Sequence, residues 1–206
     1  MCGRYVVTNS VAKTSRIVKK TINVENTENY NAYPQQDLPV IKKYINGSTL
    51  EKLKWGIIPY WAQNKDFRPL INARIETINE KNSFKKLIKI NRCVVVADGF
   101  YEWKREKKIK RPHFFFRVDE KTIFFAGIYQ KNQFCLITED SNLNIKQVHN
   151  RQPVIIDEKD IKLYLNIEID AKKLLMKRER PKLEFYEISK NVNKPNNNNQ
   201  SLIQRI

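Results

Sequence analysis

Four separated places in this chain carry side chains with the means to do chemistry. The first is Cys2, directly behind the initiator methionine in MCGRY. Once Met1 is removed, Cys2 presents an α-amine and a thiol on adjacent carbons, both usable nucleophiles near neutral pH. A vicinal aminothiol condenses with an aldehyde: the amine forms an imine, and the thiol then closes a thiazolidine ring. An internal cysteine cannot do this, because its nitrogen is tied up in a peptide bond. The same terminus could instead serve as an amidase or peptidase nucleophile with the amine as base. The second place is NARIET (72–77), where Asn72, Arg74 and Glu76 alternate and share a face if the segment is extended. Arg74 suits a phosphate, because its planar fork can hold two oxygens. The third is Glu102 in ADGFYEWK. Strand alternation puts Phe100 and Glu102 on one face and Tyr101 and Trp103 on the other, so the carboxylate shares its face with core aromatics. Desolvation there raises its pKa and suits it to general acid work. The fourth is His149 in VHNRQPVII, an irregular polar segment before a strand, where an imidazole is available for proton transfer. His113, at the start of an aromatic run, reads as structural.

The composition bounds what these residues can serve. With 206 residues the chain is expected to form one domain with a real core. No run of 18 apolar residues offers a membrane span, and no signal sequence is visible, which suggests a cytoplasmic protein. Cys2, Cys93 and Cys135 are odd in number and widely spaced, which argues against a disulfide framework. With two histidines and no CxxC pair, no metal site is expected. Cys93 and Cys135 lie in apolar runs and read as inert core thiols. The net charge of +17 points to a polyanionic partner, most simply nucleic acid.

The elements that must position these groups are mostly strands. Runs at 3–8, 38–44, 51–59, 92–97, 99–104, 113–118, 122–129, 133–138, 152–156 and 182–188 are rich in aromatic and β-branched residues. Helices are expected at Ser10–Lys20 with Ser10 as N-cap, at Glu80–Ile90, at Asp157–Leu165 and at 171–180. The fold class is therefore α+β, a single β-rich domain with a mostly antiparallel, barrel-like twisted sheet and a few peripheral helices. Residues 194–200 (KPNNNNQ) read as a low-complexity loop or tail. The basic run Lys104–Arg111 (KREKKIKR), between two strands, reads as a solvated hairpin tip or as a phosphate-contacting finger.

Taken together, MCGRY, WGIIPYWA (55–62), NARIETINEKNSFKKL (72–87), RCVVVADGFYEWK (92–104), HNRQPVII (149–156) and SKNVN (189–193) resemble the SOS response-associated peptidase (SRAP) family over nearly the whole chain. The resemblance implies a sensor of abasic sites in single-stranded DNA that links its N-terminal cysteine to the ring-opened sugar as a thiazolidine, shielding the lesion. It implies Cys2 as the nucleophile, which also removes Met1 autocatalytically. Asn72 would position the sugar or the amine, Glu102 would be the acid–base for sugar opening, and His149 would assist ring opening and imine formation. Arg4, Arg74 and Arg151 would contact phosphates, and Pro34 and Trp61 would line the DNA groove. The implied partner is single-stranded DNA containing abasic sites, bound by a monomer with no cofactor, no metal and no membrane. The expected location is cytoplasmic, at the nucleoid in a bacterium or in the nucleus of a eukaryote. Val96 stands where the family often has Pro, and Gln152 where it often has Met. Two other functions remain open to these residues: an N-terminal-cysteine peptidase acting on proteins, and a non-catalytic single-stranded nucleic-acid-binding module.

Overall fold

The apolar runs become strands around two linked sheets. The structure, a computed structural model, describes residues 2–26, 28–63, 66–107 and 109–206. In chain order the strands are β1 (Tyr5–Thr8), β2 (Lys20–Ile22), β3 (Glu28–Ala32), β4 (Asp37–Tyr44), β5 (Gly47–Trp55), β6 (Asn72–Arg74), β7 (Arg92–Ala97), β8 (Gly99–Glu106), β9 (Ile109–Arg117), β10 (Ile123–Gln130), β11 (Gln133–Asp140), β12 (Arg151–Pro153), β13 (Ile155–Ile156) and β14 (Leu183–Glu187). The helices are short: α1 (Ser10–Thr14), α2 (Leu87–Ile90), α3 (Leu143–Lys146), α4 (Ile161–Leu165) and α5 (Ala171–Lys177).

In the larger sheet, β11, β10, β7, β4 and β5 follow one another as antiparallel neighbours. The end of β5 then pairs in parallel with β11, through Lys54↔Gln133 and Trp55↔Phe134, and closes these five strands into a barrel. Closure removes the exposed edges an open sheet would present. Its interior is largely aliphatic and aromatic: Val40, Leu53, Val95, Phe125, Phe134 and Leu136 are buried. The second sheet runs β14-β9-β8-β1-β3. The chain passes into it from β7 through Asp98, whose carboxylate accepts from the backbone and hydroxyl of Thr8, each at 2.8 Å.

The second sheet decides where the chemical groups go. Its inner face carries Phe100, stacked on Phe115 at 4.9 Å and edge-on to Phe125 at 6.0 Å. Its outer face carries Tyr101, packed on Phe114 at 5.4 Å within a separate apolar cluster that includes Val192 and Leu202. The alternation read from GFYEWK therefore holds, with Glu102 turned inward. Burial also holds for Cys93 and Cys135, both inaccessible.

Several sequence expectations need correction. The first helix stops at Thr14, as Lys20–Ile22 is drawn into a parallel pairing with Thr49–Glu51, and its N-cap position is Asn9, not Ser10, without a side-chain capping bond. The 80–90 helix shrinks to Leu87–Ile90 behind a series of turns, although Phe84, Leu87 and Ile88 are buried as expected. β2 and β3 were not anticipated, being too polar to show a strand pattern. The NARIET segment is extended only through Arg74, and Ile75–Thr77 form a single 3-10 turn, so Glu76 leaves the shared face. Residues 194–200 are no loose tail. The Asn31 amide donates to the carbonyls of Lys194 and Asn197 at 3.1 and 2.8 Å, and Asn198 Oδ1 accepts from Tyr30 N at 2.7 Å. The asparagines that made the segment look featureless are the groups that tie it down, as short amides do in irregular backbone. The basic run 104–111 does form the tip of the β8–β9 hairpin; Lys108 lies outside the described residues.

Candidate active site

The barrel mouth and the inner face of the second sheet meet at Cys2. The residue lies just ahead of β1 and is fully buried, with Sγ 3.9 Å from Arg4 O. Its carbonyl oxygen accepts a 2.9 Å hydrogen bond from Asn72 Nδ2. Asn72 opens β6, which the parallel pairing Asn72↔Leu136 holds against β11. The amide's other end, Oδ1, is buried without a hydrogen-bond partner among the described residues, an acceptor left open beside Cys2. Such a group is costly to bury and calls for an explanation.

Glu102 sits mid-strand in β8 and is 3% exposed. Burial pushes its carboxyl above the ordinary carboxylate range, and neighbouring His149 draws it partway back. The Cys2 thiol is also pushed well up, first by burial and then by the negative charge of Glu102, so the two groups lie within electrostatic reach of each other. His149 Nδ1 is 3.9 Å from Glu102 Oε1. The same nitrogen is 3.1 Å from both the backbone N and the carbonyl O of Arg151, so either tautomer finds a main-chain partner. The His149 carbonyl is pinned by the Ser141 hydroxyl at 2.7 Å. Four distant segments thus bring Cys2, Asn72, Glu102 and His149 into one constellation.

Among the groove residues, Pro34, Phe67, Pro69 and Asn72 line a cleft of about 610 Å³ whose inner end is the Asn72 amide bonded to Cys2. Gly56 lets its walls close: its φ is +128°, and a Cβ there would come within 2.6 Å of Gln35 Nε2 and 2.9 Å of Pro69 Cβ. Trp61, 55% exposed, meets Phe67 edge-on at 5.2 Å. Phe67 was missed from sequence because it lies in an irregular stretch; its one signal was an aromatic between Asp66 and Arg68.

The three arginines differ. Arg74 is exposed and, among the described residues, makes no side-chain hydrogen bond or ion pair. Arg4 is half-buried, donating from Nη1 to Asn31 Oδ1 at 2.7 Å and to Val192 O at 2.9 Å. Arg151 is buried in an acidic cage. Its Nη1 and Nη2 span both oxygens of Glu76 at 2.9 and 3.0 Å, while Asp140 and the Thr138 carbonyl take further bonds at 2.5 and 2.8 Å. This fork-on-fork pairing leaves Arg151 Nη1 and Nη2 with protein partners. Sequence reading missed the cage, because Glu76 and Asp140 approach only through β11 and β12.

Residues 1–195 match the family model for SOS response associated peptidase (SRAP). The chain belongs to this family. It is 32% identical over 222 residues to the abasic site processing protein YoqW of Bacillus subtilis (strain 168), covering 99% of each chain. It is 28% identical over 186 residues to the abasic site processing protein YedK of Escherichia coli (strain K12), covering 84% of this chain and 82% of that one. A solved structure of a protein from Bacteroides thetaiotaomicron superposes with a TM-score of 0.85 over the full length of both chains at 24% identity, the same SRAP fold. Among the described residues no group of three or more His, Cys, Asp or Glu side chains could hold a metal ion, and no helix is long and apolar enough to cross a membrane.

Proposed function

We propose that this SRAP chain processes abasic sites in single-stranded DNA by forming a covalent thiazolidine with them through Cys2. The observation that carries this reading is the placement of a fully buried N-terminal-end cysteine beside a buried carboxyl of raised pKa, at the inner end of a groove with a basic and aromatic rim. The relatives named for abasic-site processing support the substrate.

The chemistry follows from what each group can hold. Removal of Met1 frees the Cys2 amine. An abasic deoxyribose is a cyclic hemiacetal, and its aldehyde appears only when the ring oxygen is protonated as the anomeric hydroxyl loses its proton. Glu102 stays protonated at a higher pH than an ordinary carboxyl and donates to that ring oxygen. The imidazole of His149 receives the proton released from the anomeric hydroxyl. The Cys2 amine adds to the aldehyde carbon, water leaves, and an imine results. The thiol then adds to the imine carbon, and its proton ends on the nitrogen. The net change is loss of one water. A thiol kept neutral by burial suits this order, since it stays out of the first step. Asn72, donating to the Cys2 carbonyl, fixes the terminus, and its open Oδ1 is placed to accept from the amine or a sugar hydroxyl.

The test is direct. The protein is mixed with a single-stranded oligonucleotide carrying one abasic site and run on a denaturing gel. A heat-stable shifted band is expected, absent for an intact oligonucleotide and for Cys2→Ala. A band that survives Cys2→Ala overturns the reading. Intact mass should show the chain short of one methionine.

A further inference from the structure

A second recess, of about 430 Å³, is lined by Pro59, Tyr60 and Trp61 together with Ser83, Lys85 and Lys86. Its lining is mostly apolar and contains no acidic residue. Tyr60 is 60% exposed and lies next to the exposed Trp61, so two adjacent large rings stand open at this recess. Lys131 Nζ stands 5.4 Å from the Tyr60 ring centroid. A cation on one side of an aromatic ring helps hold it in place. Lys85, Lys86 and Lys131 are exposed, and among the described residues none has an acidic side chain within ion-pair distance. Trp61 is shared: it walls this recess and meets Phe67, which lines the groove that ends at Asn72.

Exposed aromatic rings and unpaired lysines in one recess are the combination that holds a base and its phosphate without reading sequence. We propose that the Tyr60–Lys86 recess is a nucleobase subsite for the same DNA strand, a few nucleotides from the lesion held at Cys2. The proposal rests on the abasic-site reading above and extends it. One base stacks on Tyr60, and its phosphates meet Lys85 and Lys86. The path is short. From Asn72 back to Leu70, across the Leu70↔Ile57 bridge and on to Tyr60, the extended backbone spans at most about 24 Å. The subsite gives the protein a grip on undamaged strand next to the lesion, so an abasic site at the very end of a strand is a poorer substrate than one with a flank.

The experiment compares oligonucleotides that carry one abasic site and from none to about six thymidines on either side, a range chosen from single-strand site sizes. The rate of covalent product is measured at limiting protein. For the parent, lengthening the flank on one side should raise the rate in a step, and lengthening the other side should not produce the same step. Tyr60→Ala, and separately Lys85→Ala with Lys86→Ala, should lose most of that step, roughly tenfold, while matching the parent on the shortest oligonucleotide. Tyr60→Phe should keep it. A parent without a step on either side, or a Tyr60→Ala protein that retains it, overturns the subsite. Intact thymidine oligonucleotides of the same lengths provide a readout that needs no covalent chemistry. If no oligonucleotide gives product, the wider reading fails, and a Tyr60→Ala loss of affinity for intact strand still supports the subsite. Equal affinity of parent and variant for intact strand counts against it. Because Tyr60 and both lysines are exposed, unchanged thermal melting is expected for all these variants.

Discussion

The centre at Cys2 and the rim around it are made on opposite physical terms. At the centre, Cys2 and Glu102 are almost wholly removed from water and Asn72 is half-buried. Along the rim, Tyr60, Trp61 and Arg74 stand in solvent. Burial makes every proton at the centre expensive to move, which is why the Glu102 carboxyl and the Cys2 thiol are both displaced toward their neutral forms. Solvent makes every charge on the rim cheap to hold and weak in its grip. On the proposed function, changes at the centre should therefore act on rate and changes on the rim on affinity. Burial alone does not make a centre, however. Cys93 and Cys135 are as deeply buried as Cys2, and burial pushes both thiols up, but the carboxylate near Cys93 is Glu51, ion-paired with Lys42, and no carboxylate acts on Cys135; neither has a buried, raised carboxyl like Glu102 beside it.

The largest effect should come from separating those three thiols. Cys2→Ala should abolish covalent product while leaving binding of intact strand within about twofold. Cys93→Ala and Cys135→Ala should crosslink like the parent and lose stability on the order of 1 kcal/mol, as core truncations do. Crosslinking that fell equally in all three would mean that the cysteines act only through packing. Next in size is Glu102→Gln. Loss of a positioned acid–base costs about 10²–10⁴ in rate, so single-turnover crosslinking should slow by that order while affinity persists. Its stability should move the other way. Because folding raises the Glu102 pKa, the stability tied to its proton is present in full below the unfolded carboxyl pKa. It is lost as pH rises through the folded value. Gln does not titrate, so the variant should melt above the parent at neutral pH, by a margin that shrinks as the buffer is made acidic. A margin independent of pH would show that Glu102 carries no raised pKa.

How much of this was readable in the sequence follows the same division. The inward turn of Glu102 was legible, because period-two alternation through GFYEWK is fixed by strand geometry once Phe100 belongs to the core. Cys2 drew attention by its position, since a cysteine freed at a terminus would offer both nucleophiles; its contact with Asn72 could not be read there. The Arg151 cage was not, because its partners Glu76 and Asp140 lie 75 and 11 residues away and meet it only after β12 pairs with β11. The turn at Ile75–Thr77 was equally hidden: NARIET has strand-like alternation throughout, yet the extended pairing with β11 stops at Arg74↔Thr138. Polar strands such as Glu28–Ala32 form because neighbours need a partner, not because their own pattern demands it. The ordering of 194–200 depends on Asn31, a residue more than 160 positions away.

Arg151 and Arg74 give the finest discrimination between centre and rim, because both were read as phosphate contacts and the structure gives them different surroundings. Arg151 is held by Glu76, Asp140 and Thr138, and its backbone flanks His149 Nδ1. Its removal should act as the loss of a strut. Arg151→Ala should lower stability by about 1–2 kcal/mol, a modest figure because the exposed carboxylates of Glu76 and Asp140 regain water. It should also slow crosslinking by disturbing His149, with the slope of log affinity against log salt unchanged. Arg74→Ala should do the reverse: stability within about 0.5 kcal/mol of the parent, and affinity lower for every base sequence alike. The salt slope for single strands should become shallower by about 0.7, the share of one phosphate contact. If Arg151→Ala flattened the slope by the same amount, Arg151 would have to leave its cage on binding and would belong to the rim. If Arg74→Ala left the slope untouched, the exposed guanidinium would meet no phosphate, and the strand would run along another side of the groove.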